Sequence, residues 1–533
     1  MNDGRRYVKK LETYEQLRGW DKISFSRALK EWSENYKEKI AIVSNGKKIS
    51  YKDLYKKVVA TANNLLKQGI KKGDNVILQL PNRISFVVYM FALSQIGAIP
   101  IMALPAHREA ELYGIIEIAE PVAYIVADKY LGFSYITMAE KLKRECECLS
   151  VLIIDKPNDV FDITESVGEN LFEEVNPYDT AILLLSGGTT GIPKLIPRTH
   201  ADYLYGANMT SEKCKLNRNT VFLAVLPIAH NFSLGNPGIL GTLMNGGTIV
   251  MAPTTSPDDV FRLIEENRVT VMALVPSLVS LYLETLEWDA SYDISSLQAI
   301  WVGGAVFEES LARRVRPEFG CKLQQVFGTA EGLNCYTDLD APDDIICTCQ
   351  GKPVSEADEI KIVDENGVEV PQGEYGELLT RGPYTIDGYY KRPDANMENF
   401  TDDGFYKTGD RMMLTLEGNL KAGGRIKEQI NRAGEKIMPE EIEYYLCKHP
   451  YIKEAVVVGI PDDELGNRIC SFIITEEGTT VGMPEIHQFL KRIGIATYKM
   501  PDQIENIEVW PLTSVGKIDK KILKKWCSNK RSR

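Results

Sequence analysis

The chain has 533 residues, of which 44% are hydrophobic and 26% charged, and a formal net charge of −12. That length exceeds what one core holds and implies roughly two to four domains. The acidic balance argues against nucleic acid as a general partner, and no apolar run is long enough to span a membrane.

The N-terminal residues Met1-Asn2-Asp3-Gly4-Arg5-Arg6 lead into polar sequence rather than an apolar signal core, so a cytoplasmic location is expected. The ten cysteines are scattered, and only Cys146 with Cys148 and Cys347 with Cys349 fall close together. Neither pair has zinc or thioredoxin spacing, which predicts free buried thiols.

In chain order, residues 25–36 read as an amphipathic helix, 41–43 as a short strand and 51–68 as a second helix. A buried strand at 75–81, a helix at 85–97 ending on glycine and a strand at 99–102 make a βαβ unit with a parallel sheet. The alternation returns at 123–126, 151–154 and 181–185. Further strands are predicted at 220–227, 248–251, 271–276, 300–303 and 324–327, with a helix at 260–266. From about residue 350 short strands with turn signals follow one another, and a small α+β module begins near 426. In that module Pro439-Glu440-Glu441 opens a helix, with proline in the first turn and acids at the positive dipole end.

After the strand at 181–185 comes Ser186-Gly187-Gly188-Thr189-Thr190-Gly191-Ile192-Pro193-Lys194. Glycines let backbone amides approach an anion, the hydroxyls add donors and Lys194 adds charge, which is the chemistry a triphosphate needs. It is not a P-loop, because Pro193 separates the last glycine from the lysine. Two further strands run into glycine loops, Gly303-Gly304-Ala305 and Val326-Phe327-Gly328-Thr329-Ala330-Glu331, at the kind of strand end where open α/β sheets bind ligands.

Together with Tyr406-Lys407-Thr408-Gly409-Asp410, the run from Gly424 to Lys436 and Pro511-Leu512-Thr513-Ser514-Val515-Gly516-Lys517, these segments resemble the motifs of the adenylate-forming superfamily. That group holds acyl-CoA synthetases, luciferases and the adenylation domains of nonribosomal peptide synthesis. Six segments match in order and cover nearly the whole chain. The resemblance implies an α/β fold: an N-terminal adenylation core over 1–425 with a β-rich subdomain at about 350–425, and an α+β lid over 426–533. ATP and Mg²⁺ follow as cofactors.

By the same resemblance, Ser186, Gly187, Gly188, Thr189, Thr190, Gly191 and Lys194 hold phosphates. Gly304, Val326, Phe327, Gly328, Thr329 and Ala330 line adenine, and Glu331 ligates the metal. Asp410 and Arg425 meet the ribose or a phosphate, Lys427 occupies the hinge and Lys436 is a further polar contact. Lys517 is the catalytic lysine, offsetting the repulsion between carboxylate and phosphate, a role whose loss typically costs roughly 10²–10³ in rate.

The segment His230-Asn231-Phe232, with Asn236 and Gly303, is the implied acid pocket. Amino-acid-activating relatives carry an aspartate at the Asn231 position to pair an α-ammonium, which a neutral amide would leave unpaired. An amide instead suits a ring hydroxyl, and the chain resembles the stand-alone aryl-acid enzymes, in particular the 2,3-dihydroxybenzoate–AMP ligases of siderophore synthesis. Two residues depart from that pattern. Phe232 stands where tyrosine is usual, and Asn236 where serine or cysteine is usual. Asn236 has the groups to bind a 3-hydroxyl or a ring nitrogen, or to fill that corner. His230 would orient the substrate beside the thiol channel.

Nothing after residue 521 resembles a carrier domain, so the expected acceptor is a separate aryl carrier protein, with CoA as the alternative. The basic residues Lys517, Lys520, Lys521, Lys524, Lys525, Lys530, Arg531 and Arg533 read as a solvated face that would suit an acidic carrier.

Overall fold

The structure is a computed structural model, and it describes residues 13–157, 159, 172–185, 194–289, 291–432, 435–462, 465–493, 495, 499–513 and 516–529. The chain divides into two compact units. The first comprises Met1–Cys347, Gly351–Glu359 and Thr380–Tyr406, and the second Thr348–Gln350, Ile360–Leu379 and Lys407–Arg533.

Within the described residues of the first unit lie two large sheets. One has six strands in the order Leu195–Thr199, Thr180–Leu185, Ile99–Met102, Asn75–Gln79, Ala123–Ala127 and Val151–Asp155. The strand Asn75–Gln79 pairs in parallel with both neighbours, as the βαβ reading requires. The helix between, Ile84–Ile96, is buried on nearly every face, and Gly97 caps it in the left-handed region. A helix apolar all round belongs inside a large core rather than on a surface. The edge differs from the all-parallel expectation: Leu195–Thr199 runs antiparallel to Thr180–Leu185.

The other sheet has nine strands, from Lys352–Pro353 at one edge to Lys47–Ser50 at the other. Its centre is parallel: Val221–Ala224, Val271–Leu274, Ala299–Gly303 and Lys322–Thr329 run side by side. The first three of these strands read as continuous apolar runs because both faces are covered. The chain then reverses, and Gly332–Tyr336 pairs antiparallel with Lys322–Thr329 through a register shift at Gly328/Thr329. One apolar core runs through both sheets.

The second unit holds the four-stranded sheet Glu359–Val363, Tyr375–Arg381, Tyr406–Leu414 and Leu420–Arg425, most of whose residues fall in this unit. It also holds a hairpin at Ile430–Arg432 and Glu435–Ile437, and the three-stranded sheet Ile452–Asp462, Gly466–Thr475 and Gln503–Asn506. The helices Pro439–Leu446, Met483–Arg492 and Lys520–Asn529 belong here too.

One expectation is corrected. Eight cysteines are free, but Cys470 and Cys527 form a disulfide that ties the last helix to the strand Gly466–Thr475. Their separation of 57 residues carries no spacing signal. Packing of the helix on the sheet brings them together. Among the described residues, no helix is long and apolar enough to cross a membrane.

Candidate active site

Lys194 stands just before the strand Leu195–Thr199, and its Nζ donates to Asn399 Oδ1 at 3.3 Å and lies 4.8 Å from the centre of the Tyr389 ring. Ser186, Gly187, Gly188, Thr189, Thr190 and Gly191 lie outside the described residues. The strand hands over to the helix His200–Lys213 through a capping box, in which Thr199 accepts from the Asp202 amide and Asp202 accepts from the Thr199 amide at 2.9 Å.

Asp202 serves a second partner. Arg198, only 2% exposed, donates from Nε to Asp202 Oδ1 at 2.9 Å and from Nη1 to the Ala330 carbonyl at 3.0 Å. A buried guanidinium needs both a counter-charge and acceptors, and this one spends a donor on the loop that precedes Glu331.

Glu331 is itself buried, 7% exposed, and its Oε1 accepts from the Tyr389 hydroxyl at 2.9 Å. The Tyr389 hydroxyl lies 3.4 Å from that of Tyr406. Burial, then the Glu331 charge, pushes the Tyr389 phenol up, so it stays a donor. One hydrogen bond fills one of the carboxylate's roughly four acceptor positions. Among the described residues no cluster of three or more His, Cys, Asp or Glu could hold a metal ion. Glu331 therefore fits a hard cation held by one carboxylate and by substrate oxygens, and does not fit an all-protein cage.

The predicted nucleotide segment follows from the parallel sheet. Gly303 lies in register with Val326, and a Cβ at Gly303 would stand 2.7 Å from the Val326 carbonyl oxygen. Gly304, Gly328, Thr329 and Ala330 line the ends of these strands, and the Phe327 ring is only half buried, which leaves an aromatic surface there. Gly328 pairs with Asn334.

The predicted acid pocket is a short helix, Asn231–Gly235, with His230 as its N-cap. His230 Nδ1 accepts from the Phe232 amide at 3.3 Å, which leaves the proton of the neutral ring on Nε2. Asn231, 8% exposed, accepts at Oδ1 from the Tyr203 hydroxyl at 2.8 Å and reaches the Thr329 carbonyl through Nδ2 at 3.4 Å. Gly235 is small for a reason: a Cβ there would lie 2.6 Å from Tyr203 Cζ. Phe232 is buried in the core. Asn236 accepts at Oδ1 from Asn334 Nδ2 at 3.1 Å, and its carbonyl accepts from the Tyr336 hydroxyl at 2.5 Å.

In the second unit, Asp410 Oδ1 pairs with Arg425 Nε at 2.6 Å, and the Asp410 amide donates to Thr408 Oγ1 at 3.0 Å. Lys517 sits in a closed turn. Its amide donates to Thr513 Oγ1 at 3.1 Å and its carbonyl accepts from the Thr513 amide at 2.6 Å. Burial, then the Arg425 charge, lowers the Lys517 ammonium, and Asp410 opposes that shift. So the structure brings Asp410, Arg425 and Lys517 together, though 92 residues separate the last two in sequence. The side chains of Lys427 and Lys436 lie outside the described ones.

Several residues of this arrangement carried no signal in the sequence: Tyr203, Tyr389, Asn334 and Asn399 are ordinary polar residues until packing places them. The Thr199/Asp202 capping box was readable from its spacing. Lys520 departs from the solvated-face expectation. Its Nζ bonds Glu428 Oε2 at 2.7 Å, and its side chain is 25% exposed.

The fold and these strand-end loops are those of an adenylate-forming enzyme. The chain belongs to the AMP-binding enzyme family: that family's model matches residues 29–390, and the model for the AMP-binding enzyme C-terminal domain matches 441–517. Enzymes of this family use ATP. Among similar proteins, the 2,3-dihydroxybenzoate-AMP ligase of Bacillus subtilis (strain 168) is 44% identical, over 97% of this chain and 96% of its own length. A 2-hydroxy-7-methoxy-5-methyl-1-naphthoate–CoA ligase of Streptomyces carzinostaticus is 38% identical, over 95% of this chain and 93% of its own. The apo structure of Mycobacterium smegmatis MbtA is 38% identical, with a TM-score of 0.74 and 97% of each chain covered.

Proposed function

We propose that this enzyme activates an aryl carboxylic acid bearing a ring hydroxyl, 2,3-dihydroxybenzoate or a related hydroxybenzoate or heteroaryl acid. ATP is cleaved to give the aryl adenylate and pyrophosphate, and a thiol then displaces AMP to give a thioester. The observation that carries the reading is the Asn231 amide, buried against Tyr203 and Thr329. With one hydrogen bond at each end, it keeps one acceptor site and one N–H for a ligand, and it brings no charge to meet an ammonium.

Lys194 and the glycine-rich segment cradle the phosphates in this reading, and Asp410 accepts from the ribose. Glu331 holds Mg²⁺, which when bound neutralises charge on the phosphate oxygens. Lys517 offsets the meeting of carboxylate and α-phosphate. His230, with its proton on Nε2, orients the acid rather than exchanging protons. The lid spans 426–533, with its hinge at Lys427.

The acceptor is the phosphopantetheine thiol of a separate aryl carrier protein. The exposed Lys521, Lys524 and Lys525 on the last helix suit an acidic carrier, so its KM should rise with salt. A second reading, CoA as the acceptor, is favoured by the similarity to a CoA ligase. Supplying each thiol to the preformed adenylate separates the two.

The test of the acid is ATP–pyrophosphate exchange with 2,3-dihydroxybenzoate, salicylate, benzoate, anthranilate, 3-hydroxypicolinate and several amino acids. Preference for a hydroxylated aryl acid is expected. Strong exchange with an amino acid would overturn the reading of Asn231.

A further inference from the structure

The turn that carries Lys517 passes directly into the last helix. The Asp519 amide donates to the Pro511 carbonyl at 2.7 Å, closing the turn, and Asp519 Oδ1 accepts from the amides of Lys521 and Ile522 at 3.0 and 3.2 Å, capping the helix. Leu523 and Cys527 anchor that helix in a small core with Val456, Val458 and Phe472. The turn and the helix are therefore hydrogen-bonded into one piece, and Lys520 is its first helical residue.

Lys520 Nζ reaches outward from this piece. It lies 2.7 Å from Glu428 Oε2 and 3.5 Å from Glu443 Oε1. Glu443 is fixed in turn, since Oε1 accepts from the Val457 amide at 2.7 Å. Glu428 ends the single 3-10 turn Ile426–Glu428, which begins right after Arg425, the partner of Asp410. A third carboxylate, Glu440, occupies the space where a side chain at Gly424 would stand, and Gly424 has φ +94°. Its Oε2 is buried without a hydrogen-bond partner.

We propose that Lys520 is a positioning residue for the adenylation step: its bridge to Glu428 and Glu443 holds the Lys517 turn in place relative to Arg425 and Asp410. The inference rests on the reading of Lys517 as the catalytic lysine. Its physical basis is the concentration of three carboxylates at one cation. Burial, and then their mutual repulsion, pushes Glu440 up to about 7, and Lys520 opposes this. Without the cation the carboxylates must separate or take up protons, and the segment from Gly424 to Glu428 moves with them. A displacement of about 1 Å at a catalytic group costs up to ~10²-fold in rate, although ground-state binding is untouched.

The experiment measures exchange kinetics of the full-length enzyme with its best aryl acid for Lys520→Ala, Lys520→Arg, Glu428→Gln, Lys520→Ala/Glu428→Gln and, separately, Lys517→Ala. The expected result is a kcat about tenfold lower for Lys520→Ala, with KM for ATP and for the acid within about twofold of the parent. Lys520→Arg should recover most of that loss, and the double variant should be no worse than Lys520→Ala. A kcat for Lys520→Ala within about twofold of the parent would overturn the proposal. So would a loss confined to KM, a loss that arginine does not repair, or additive losses in the double variant. If Lys520→Ala does not fold, Glu428→Gln decides: a lowered kcat at constant KM supports the bridge, and an unchanged kcat overturns it. Full exchange by Lys517→Ala would instead refute the role given to Lys517.

Discussion

Tyr389 donates its hydroxyl to Glu331 at 2.9 Å while the face of the same ring lies 4.8 Å from the Lys194 ammonium. One side chain thus orients the proposed metal ligand with its edge and the proposed phosphate lysine with its face. Tyr389→Phe keeps the ring and deletes the donor, so only the first function is lost. A hydrogen bond to a charged group is worth about 1.5–3 kcal/mol, so kcat/KM for Mg·ATP should fall by roughly tenfold or more. Tyr389→Ala should fall further, because the cation–π contact goes too. Steady-state exchange at varied Mg·ATP checks both; equal losses in the two variants would show that the ring face does nothing.

Gly235 and Tyr203 touch where no side chain fits. In Gly235→Ala the new methyl meets the Tyr203 ring at 2.6 Å, and the helix carrying Asn231 must shift. KM for the aryl acid should rise about tenfold, with KM for ATP nearly unchanged. The measurement is exchange with each substrate varied in turn, and a change in ATP binding alone would contradict the placement of the pocket.

Arg198 and Asp202 form a buried pair. Replacing Arg198 with methionine leaves Asp202 charged and largely buried, and breaking such a pair costs about 3–5 kcal/mol. Urea unfolding should show that loss, and Arg198→Met/Asp202→Leu should regain part of it. Exchange activity should remain depressed in the double variant, because the Ala330 carbonyl has still lost its donor.

His200 predicts an acid-labile step. Its Nδ1 accepts from the Phe25 amide at 3.2 Å, and burial pushes the imidazole down to about 3. Between that value and the unfolded value of about 6.5, the native state binds fewer protons than the unfolded chain. The contribution is therefore fully present above pH 6.5 and is lost as pH falls. At pH 5 the loss is roughly 2 kcal/mol. His200→Asn should flatten this part of the stability–pH curve measured by thermal unfolding between pH 7 and pH 5. A parallel curve for the variant would rule the histidine out.

The alternation of elements was legible in the residues alone. Period and punctuation are local, so 25–36, 75–81, 85–97 and 300–303 were legible as helix or strand from nearby residues alone. The glycine-rich segments could be proposed as anion sites for the same reason: anion binding by consecutive amides is a property of a few adjacent residues.

Only the tertiary structure decided which side chains meet. The antiparallel return at Leu195–Thr199, the Tyr203–Asn231 and Tyr389–Glu331 hydrogen bonds, and the Cys470–Cys527 disulfide join residues 10 to 58 apart, with the strand reversal the shortest link. The same holds for Lys520. In the sequence it is one of several lysines in a basic tail, and its charge looks solvated. Packing of the last helix sets it among Glu428, Glu440 and Glu443, where burial makes charge pairing obligatory. Such contacts depend on how elements turn toward one another, and a linear pattern of hydrophobicity does not specify that.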